Sequence, residues 1–280
     1  MSMIEFINGS FSYEKSGVFK NLSFQVNKGE IFCIVGPNGC GKTTLLDCIL
    51  GILKLDEGEI LINKRQIKEI PPREIAKEVA YVPQIHTKTF PYTVLDIVLM
   101  GRASRMGIFS SPSAQDRDIA GQALELVGLA DFMNRPYTQL SGGEGQLVMI
   151  ARALAQKTPV IIMDEPTAHL DFKHELTVLE TVIQLVRQTD LSIIMATHFP
   201  NHAFYFENSG INTFVALMDQ MTFSAVGRPT EILSEDNLMS LYQINAKVVS
   251  CLLDNNTELR QIVPLNTVNG RVSFEEGYKI

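Results

Sequence analysis

Gly36-Pro37-Asn38-Gly39-Cys40-Gly41-Lys42-Thr43 follows directly on the apolar run Ile31-Phe32-Cys33-Ile34-Val35. It opens a helical stretch that reaches about residue 50, where Gly51 stops it. The octet fits G-x-x-x-x-G-K-[ST]. Composition alone produces that pattern in roughly one chain in a hundred of this length, so its context decides its meaning. Here a strand apolar on both faces precedes the glycine loop and a helix follows, which is the arrangement the pattern requires. Glycines let backbone N–H groups converge as a nest for phosphate oxygens, and the helix N-terminus adds partial positive charge. Gly36, Pro37, Asn38, Gly39, Cys40 and Gly41 are expected to form this cradle, with Lys42 as a point charge for the β- and γ-phosphates. The Thr43 hydroxyl is expected to ligate Mg2+, and Thr44 to join the nucleotide contacts at the same helix start.

A second apolar run, Val160-Ile161-Ile162-Met163, ends in Asp164-Glu165. A buried strand that finishes in paired carboxylates needs a cation or a reacting water to face them, although acids at a solvated helix start are commonplace. Beside a phosphate loop, Asp164 is suited to hold Mg2+, directly or through water, and Glu165 to orient and deprotonate an attacking water. Between the two motifs, Leu140-Ser141-Gly142-Gly143-Glu144-Gly145-Gln146 precedes a helix expected over about 146–155. It makes a second anion-binding helix start, separate from the first.

The flanking patterns predict an α/β fold. Residues 3–6 and 22–26 alternate apolar and polar as half-buried strands do, and 59–63 and 80–82 read as further strands. A short helix is predicted over 73–77, after Pro71-Pro72. From about 90 to 157 the pattern turns helical, with apolar residues at three- and four-residue spacing over 93–100 and 119–127. Strands at 160–163 and 192–196, separated by a helix over 172–187, imply a parallel sheet with crossovers. A hairpin is predicted around Asp219-Gln220, between 214–217 and 222–226. Beyond Pro229 the pattern weakens to a short helix and faint strands.

Composition narrows the classes. The 280 residues carry 24 Lys and Arg against 31 Asp and Glu, a net charge of −7 that argues against a duplex-binding protein. Cys33, Cys40, Cys48 and Cys251 form no C-x-x-C pair and are expected as buried or half-buried thiols in a reducing cytosol. His86, His174 and His202 are expected at the surface, and no transition-metal site is assigned. Residues 1–7 show no secretory signal, and no apolar run approaches the ~20 residues needed to span a bilayer.

The order of phosphate loop, Ser-Gly-Gly helix start and acidic strand resembles that of the ABC-type ATPases, with residues 141–146 similar to the family signature. The resemblance covers about residues 3–226. It implies a P-loop NTPase with a RecA-like core, an N-terminal antiparallel β subdomain and an inserted α-helical subdomain. It divides the chain into one domain over 1–228, with 1–88 and 159–228 as core and 89–158 as helical insert, and a C-terminal extension over 229–280. By the same resemblance Tyr13 stacks on adenine, and Gln84 is the Q-loop residue that contacts Mg2+ and the attacking water. Asp171 sits in the D-loop at a subunit contact, as well as being a candidate helix N-cap, and His198 is the switch histidine that bonds the γ-phosphate. His169 falls at a variable D-loop position. Gly145 stands where a basic or polar residue is usual and is expected to soften the start of its helix. Glu144 replaces the commoner glutamine.

Family members stack two copies head to tail, so that the phosphate loop of one and the signature of the other enclose each ATP. That implies a second copy of this chain as partner. The stretch Thr93-Val94-Leu95-Asp96-Ile97-Val98-Leu99-Met100-Gly101-Arg102 resembles that of ATPases serving importers of iron–siderophore, haem and cobalamin complexes, some relatives of which carry molybdate or tungstate. A core helix would show the same apolar spacing. The resemblance implies multi-span permease subunits as partners, a substrate-binding protein as an indirect one, no nucleic acid, and a peripheral position on the cytoplasmic face of the membrane. The alternatives are a soluble assembly ATPase of the iron–sulfur scaffold kind and an exporter whose membrane spans lie on another chain.

Overall fold

The computed structural model describes residues 1–14, 16–84, 90–107, 110–252 and 258–268. Two long antiparallel strands, β1 (Ser2–Tyr13) and β2 (Ser16–Asn27), open the chain. They extend well beyond the predicted segments because register shifts interrupt the alternation, for example between Phe6 and Gly9, and Asn8 and Asn21 take left-handed backbone angles. β3 (Ile31–Val35) leads into α1 (Lys42–Ile49). β4 (Glu57–Ile62) and β5 (Arg65–Gln66) then complete a four-stranded sheet in the order β2-β1-β4-β5. α2 (Pro72–Glu78), with a proline at its start, feeds β6 (Val79–Val82).

The helical insert comprises α3 (Val94–Leu99), α4 (Ala114–Leu126) and α5 (Gly142–Ala155). Each starts with a reciprocal capping box: Thr93 with Asp96, Ser113 with Asp116, and Ser141 with Glu144. The last box starts α5 at Gly142, four residues earlier than predicted, so Gly145 lies inside the helix rather than ahead of it. Buried Arg102 ties the insert together: its Nε donates to Asp116 Oδ1 at 2.9 Å and its Nη1 to the Ala155 carbonyl at 2.8 Å.

Ser113 first, then Arg102, hold the Asp116 carboxyl down to about 2. A carboxylate depressed in the folded state contributes stability that is fully present above its unfolded value of about 4 and lost as the pH falls toward 2. Asp116→Asn should therefore melt earlier than wild type at neutral pH, with the gap closing across that acid window; thermal melts as a function of pH would show it.

β7 (Val160–Asp164), α6 (Phe172–Thr189), β8 (Ser192–Thr197), α7 (Asn201–Asn208), β9 (Thr213–Asp219) and β10 (Thr222–Gly227) complete the main sheet, ordered β10-β9-β3-β8-β7-β6. Every pairing in it is parallel except β10 with β9. Its inner strands are predominantly apolar because both faces are covered. Ile31, Cys33 and Val35 face the helical insert and α6, while Phe32 and Ile34 face α1 and the N-terminal sheet. There Phe24 stacks on Phe32 at 4.8 Å and on Phe6 at 5.2 Å, joining the two sheets. The predicted hairpin turns at Gln220-Met221, both at positive φ, as a type I′ connection requires.

The C-terminal extension holds more structure than its pattern suggested: α8 (Pro229–Ile232), α9 (Glu235–Tyr242) and an antiparallel pair, β11 (Ile244–Leu252) with β12 (Glu258–Thr267). Cys33 and Cys48 are buried and Cys40 is half-buried. Cys251 is exposed on β11, against expectation, because the second half of that strand lies at the surface.

Candidate active site

The phosphate loop leaves the C-terminal end of β3 at the centre of the sheet and returns as α1. Gly41 caps that helix at φ +105°, and a Cβ there would lie 2.7 Å from Val18 Cγ1, so both backbone angle and space demand glycine. Lys42 is 5% exposed. Its ammonium donates to the carbonyls of Gly36 (2.8 Å) and Pro37 (3.0 Å) and stands 3.3 Å from Glu165 Oε1.

β7 runs beside β8 and delivers the two acids to the same place. Thr43 Oγ1 donates to Asp164 Oδ2 at 2.8 Å, whereas Asp164 Oδ1 is buried without a hydrogen-bond partner. Burial, reinforced by the neighbouring Glu165 charge, raises the Asp164 pKa despite the Thr43 bond. Glu165 holds a left-handed φ of +44°, fixed by its N–H donating to the Ala196 carbonyl at 2.9 Å. Its carboxylate collects three groups: Lys42 on Oε1, and on Oε2 both the Gln84 amide (3.3 Å) and His198 Nδ1 (2.8 Å).

An open cleft of about 440 Å3 joins Tyr13, Asn38, Gly39, Gly41, Lys42, Thr43, Thr44, Gln84 and Glu165. Tyr13 ends β1 half-exposed, its ring edge-on to Phe11 at 4.9 Å. Ser141, Gly142, Gly143 and Asp171 do not line this cleft. They form a separate surface built around His174. A Cβ on Gly143 would come 2.1 Å from the His174 ring, while Asp171 caps α6 and accepts from His174 N at 2.9 Å, with Nδ1 2.8 Å from its Oδ2. Those bonds hold the Asp171 carboxyl below its usual range.

His174 is thus half-buried. His202, expected at the surface, is 3% exposed, with Nε2 2.8 Å from Glu175 Oε1 and Nδ1 3.0 Å from Thr197 Oγ1. The contact joins α7 to α6, and no spacing rule could pair residues 27 positions apart. His86 lies outside the described residues.

The profile of the ABC transporter family matches residues 19–168, more than half of the chain. The chain belongs to the ABC transporter family. It is similar to the molybdate import ATP-binding protein of Haemophilus influenzae, with 36% identity over 85% of this chain and 87% of that protein. It is also 34% identical to the iron(3+)-hydroxamate import ATP-binding protein of Bacillus subtilis, over 83% and 85% of the two chains. Among solved structures, a metal-chelate type ABC transporter in an inward-facing conformation superposes with a TM-score of 0.82 at 33% identity, covering 94% of this chain and 97% of that one. The fold is accordingly that of an ABC ATPase domain, and this ABC protein binds ATP and is an ATPase.

Proposed function

We propose that this ABC ATPase energises a multi-subunit importer of a metal chelate or related oxyanion. The observation that carries the chemistry is the convergence of Lys42, Gln84 and His198 on the Glu165 carboxylate at the mouth of the phosphate loop. Tyr13 stacks on the adenine, the loop from Gly36 to Gly41 with Thr44 binds the phosphates, and Lys42 turns from its loop carbonyls to the β/γ-phosphates. Gln84 and Glu165 orient the attacking water, Glu165 takes its proton, and His198 bonds the γ-phosphate. The partnerless, buried Asp164 Oδ1 beside the Thr43 hydroxyl fits a hard divalent cation. Thr43, Asp164 and Gln84 would hold Mg2+, which would neutralise charge on the β- and γ-phosphates.

Ser141, Gly142 and Gly143 lie outside this cleft, and with Asp171 they serve the site of a second copy stacked head to tail. Among the described residues no helix is long and apolar enough to cross a membrane. The proposed ATPase sits peripherally on the cytoplasmic face, held by a permease. The docking surface is supported by exposed apolar residues that α3 leaves uncovered: Phe90, Tyr92 and Met100 flank the helix, whose own Val94, Ile97 and Val98 are buried. Met100 and Ile52 border a groove with Leu50, Pro72, Ile75 and Arg152. The relatives named above, import ATPases for molybdate and iron(3+)-hydroxamate, support the cargo class.

A mild-detergent pull-down from native membranes should recover a multi-span permease at equal stoichiometry. Ile52→Glu should lose that permease while the isolated chain keeps its ATPase rate. Recovery of a soluble scaffold with no permease would replace this reading with that of an assembly ATPase.

A further inference from the structure

The loop carrying His198 joins the end of β8 to the start of α7, and three sets of contacts hold it. From below, Thr197 Oγ1 accepts from Phe199 N at 3.1 Å and meets His202 Nδ1, which is anchored in turn on Glu175. From the side, α7 covers the outer edge of β12. Asn201 exchanges two bonds with the Ile262 backbone (3.0 and 2.7 Å), and Asn208 does the same with Arg260 (3.0 and 3.2 Å). These two side chains, two helical turns apart, take the place of a neighbouring strand on an edge that would otherwise stay unpaired. The third contact is the direct one: the Tyr242 hydroxyl, at the end of α9 in the C-terminal extension, donates to the backbone carbonyl of His198 at 3.0 Å.

We infer that Tyr242 is a positioning residue for His198, through which the C-terminal extension sets the catalytic geometry of the ATP site. The inference rests on the γ-phosphate role proposed for His198. A peptide carbonyl fixed by a half-buried donor fixes the orientation of the residue that bears it. His198 must present Nδ1 to Glu165 and its ring to the nucleotide at once. Burial, with Cys40 and Glu165 close by, pushes the Tyr242 phenol well above its ordinary value, so it stays protonated as a donor at any physiological pH. Tyr242 does not line the nucleotide cleft and acts only through the loop.

The test compares steady-state ATP hydrolysis of the full-length chain in three variants, each with a thermal melt. Tyr242→Phe keeps the ring and removes the donor. It should lower kcat by about two- to tenfold, the equivalent of one hydrogen bond, with KM for ATP unchanged. Asn208→Ala loosens the distal end of the same docking without touching the loop, and its kcat should stay at the wild-type value. A wild-type kcat in Tyr242→Phe overturns the inference, as does an equal fall in Tyr242→Phe and Asn208→Ala, which would mean the extension acts only by being docked. His198→Ala separates the two levels. If it loses turnover while Tyr242→Phe does not, the positioning role alone fails; if it hydrolyses like wild type, the His198 assignment fails and takes the positioning role with it.

Discussion

Glu165→Gln is expected to reduce ATP turnover by about 10²–10⁴-fold, the usual contribution of a general base, while ATP still binds. The glutamine can keep the contacts that Gln84 and His198 make with Glu165, so the cleft should retain its shape. What it cannot do is accept a proton from water. Glu165 also neutralises Lys42 at 3.3 Å, so removing its charge frees that ammonium for phosphate and removes a negative group from beside the γ-phosphate. Binding should therefore hold or tighten, and the ATP-bound dimer should accumulate. Single-turnover kinetics with equilibrium nucleotide titration would check both halves. A variant that hydrolyses at the wild-type rate would remove Glu165 from the role of base.

Lys42→Ala should instead weaken ATP binding by roughly ten- to hundredfold, the worth of a charge-assisted contact to phosphate. The alanine also strands Glu165 as a buried carboxylate facing the incoming phosphates, with its contacts to Gln84 and His198 left in place but the Lys42 charge gone. The affinity loss should thus exceed that of Lys42→Arg, which restores the charge with the wrong shape. Titration of each variant with a slowly hydrolysed ATP analogue, with a melt to exclude unfolding, measures the difference. Wild-type affinity in Lys42→Ala would mean that the ammonium stays on the carbonyls of Gly36 and Pro37 when nucleotide is bound.

The parts of the site legible in the sequence are those whose chemistry is local. A loop with glycine at Gly36, Gly39 and Gly41 must curl, and a buried strand that ends in Asp164-Glu165 must bring carboxylates to the sheet edge. Both follow from neighbours along the chain, so spacing and residue type suffice. Element boundaries were less legible where two short-range effects compete. The Ser141–Glu144 capping box outweighs the helix-weakening glycines at 142, 143 and 145 and starts α5 early. Bulges in β1 and β2 hid more than half of each strand from a period-two reading.

By itself, then, the sequence determined the phosphate loop, the acidic strand, the two-sided apolar sheet and the family, because each is written in contiguous residues with a fixed geometric consequence. Only the tertiary structure decided which distant groups meet: Gln84 and His198 on one carboxylate, buried His202 against Glu175, and Tyr242 on the His198 carbonyl. Those meetings depend on how the sheet, insert and extension pack. A single hydrogen bond across 44 or 81 residues leaves no periodic trace in the chain that makes it.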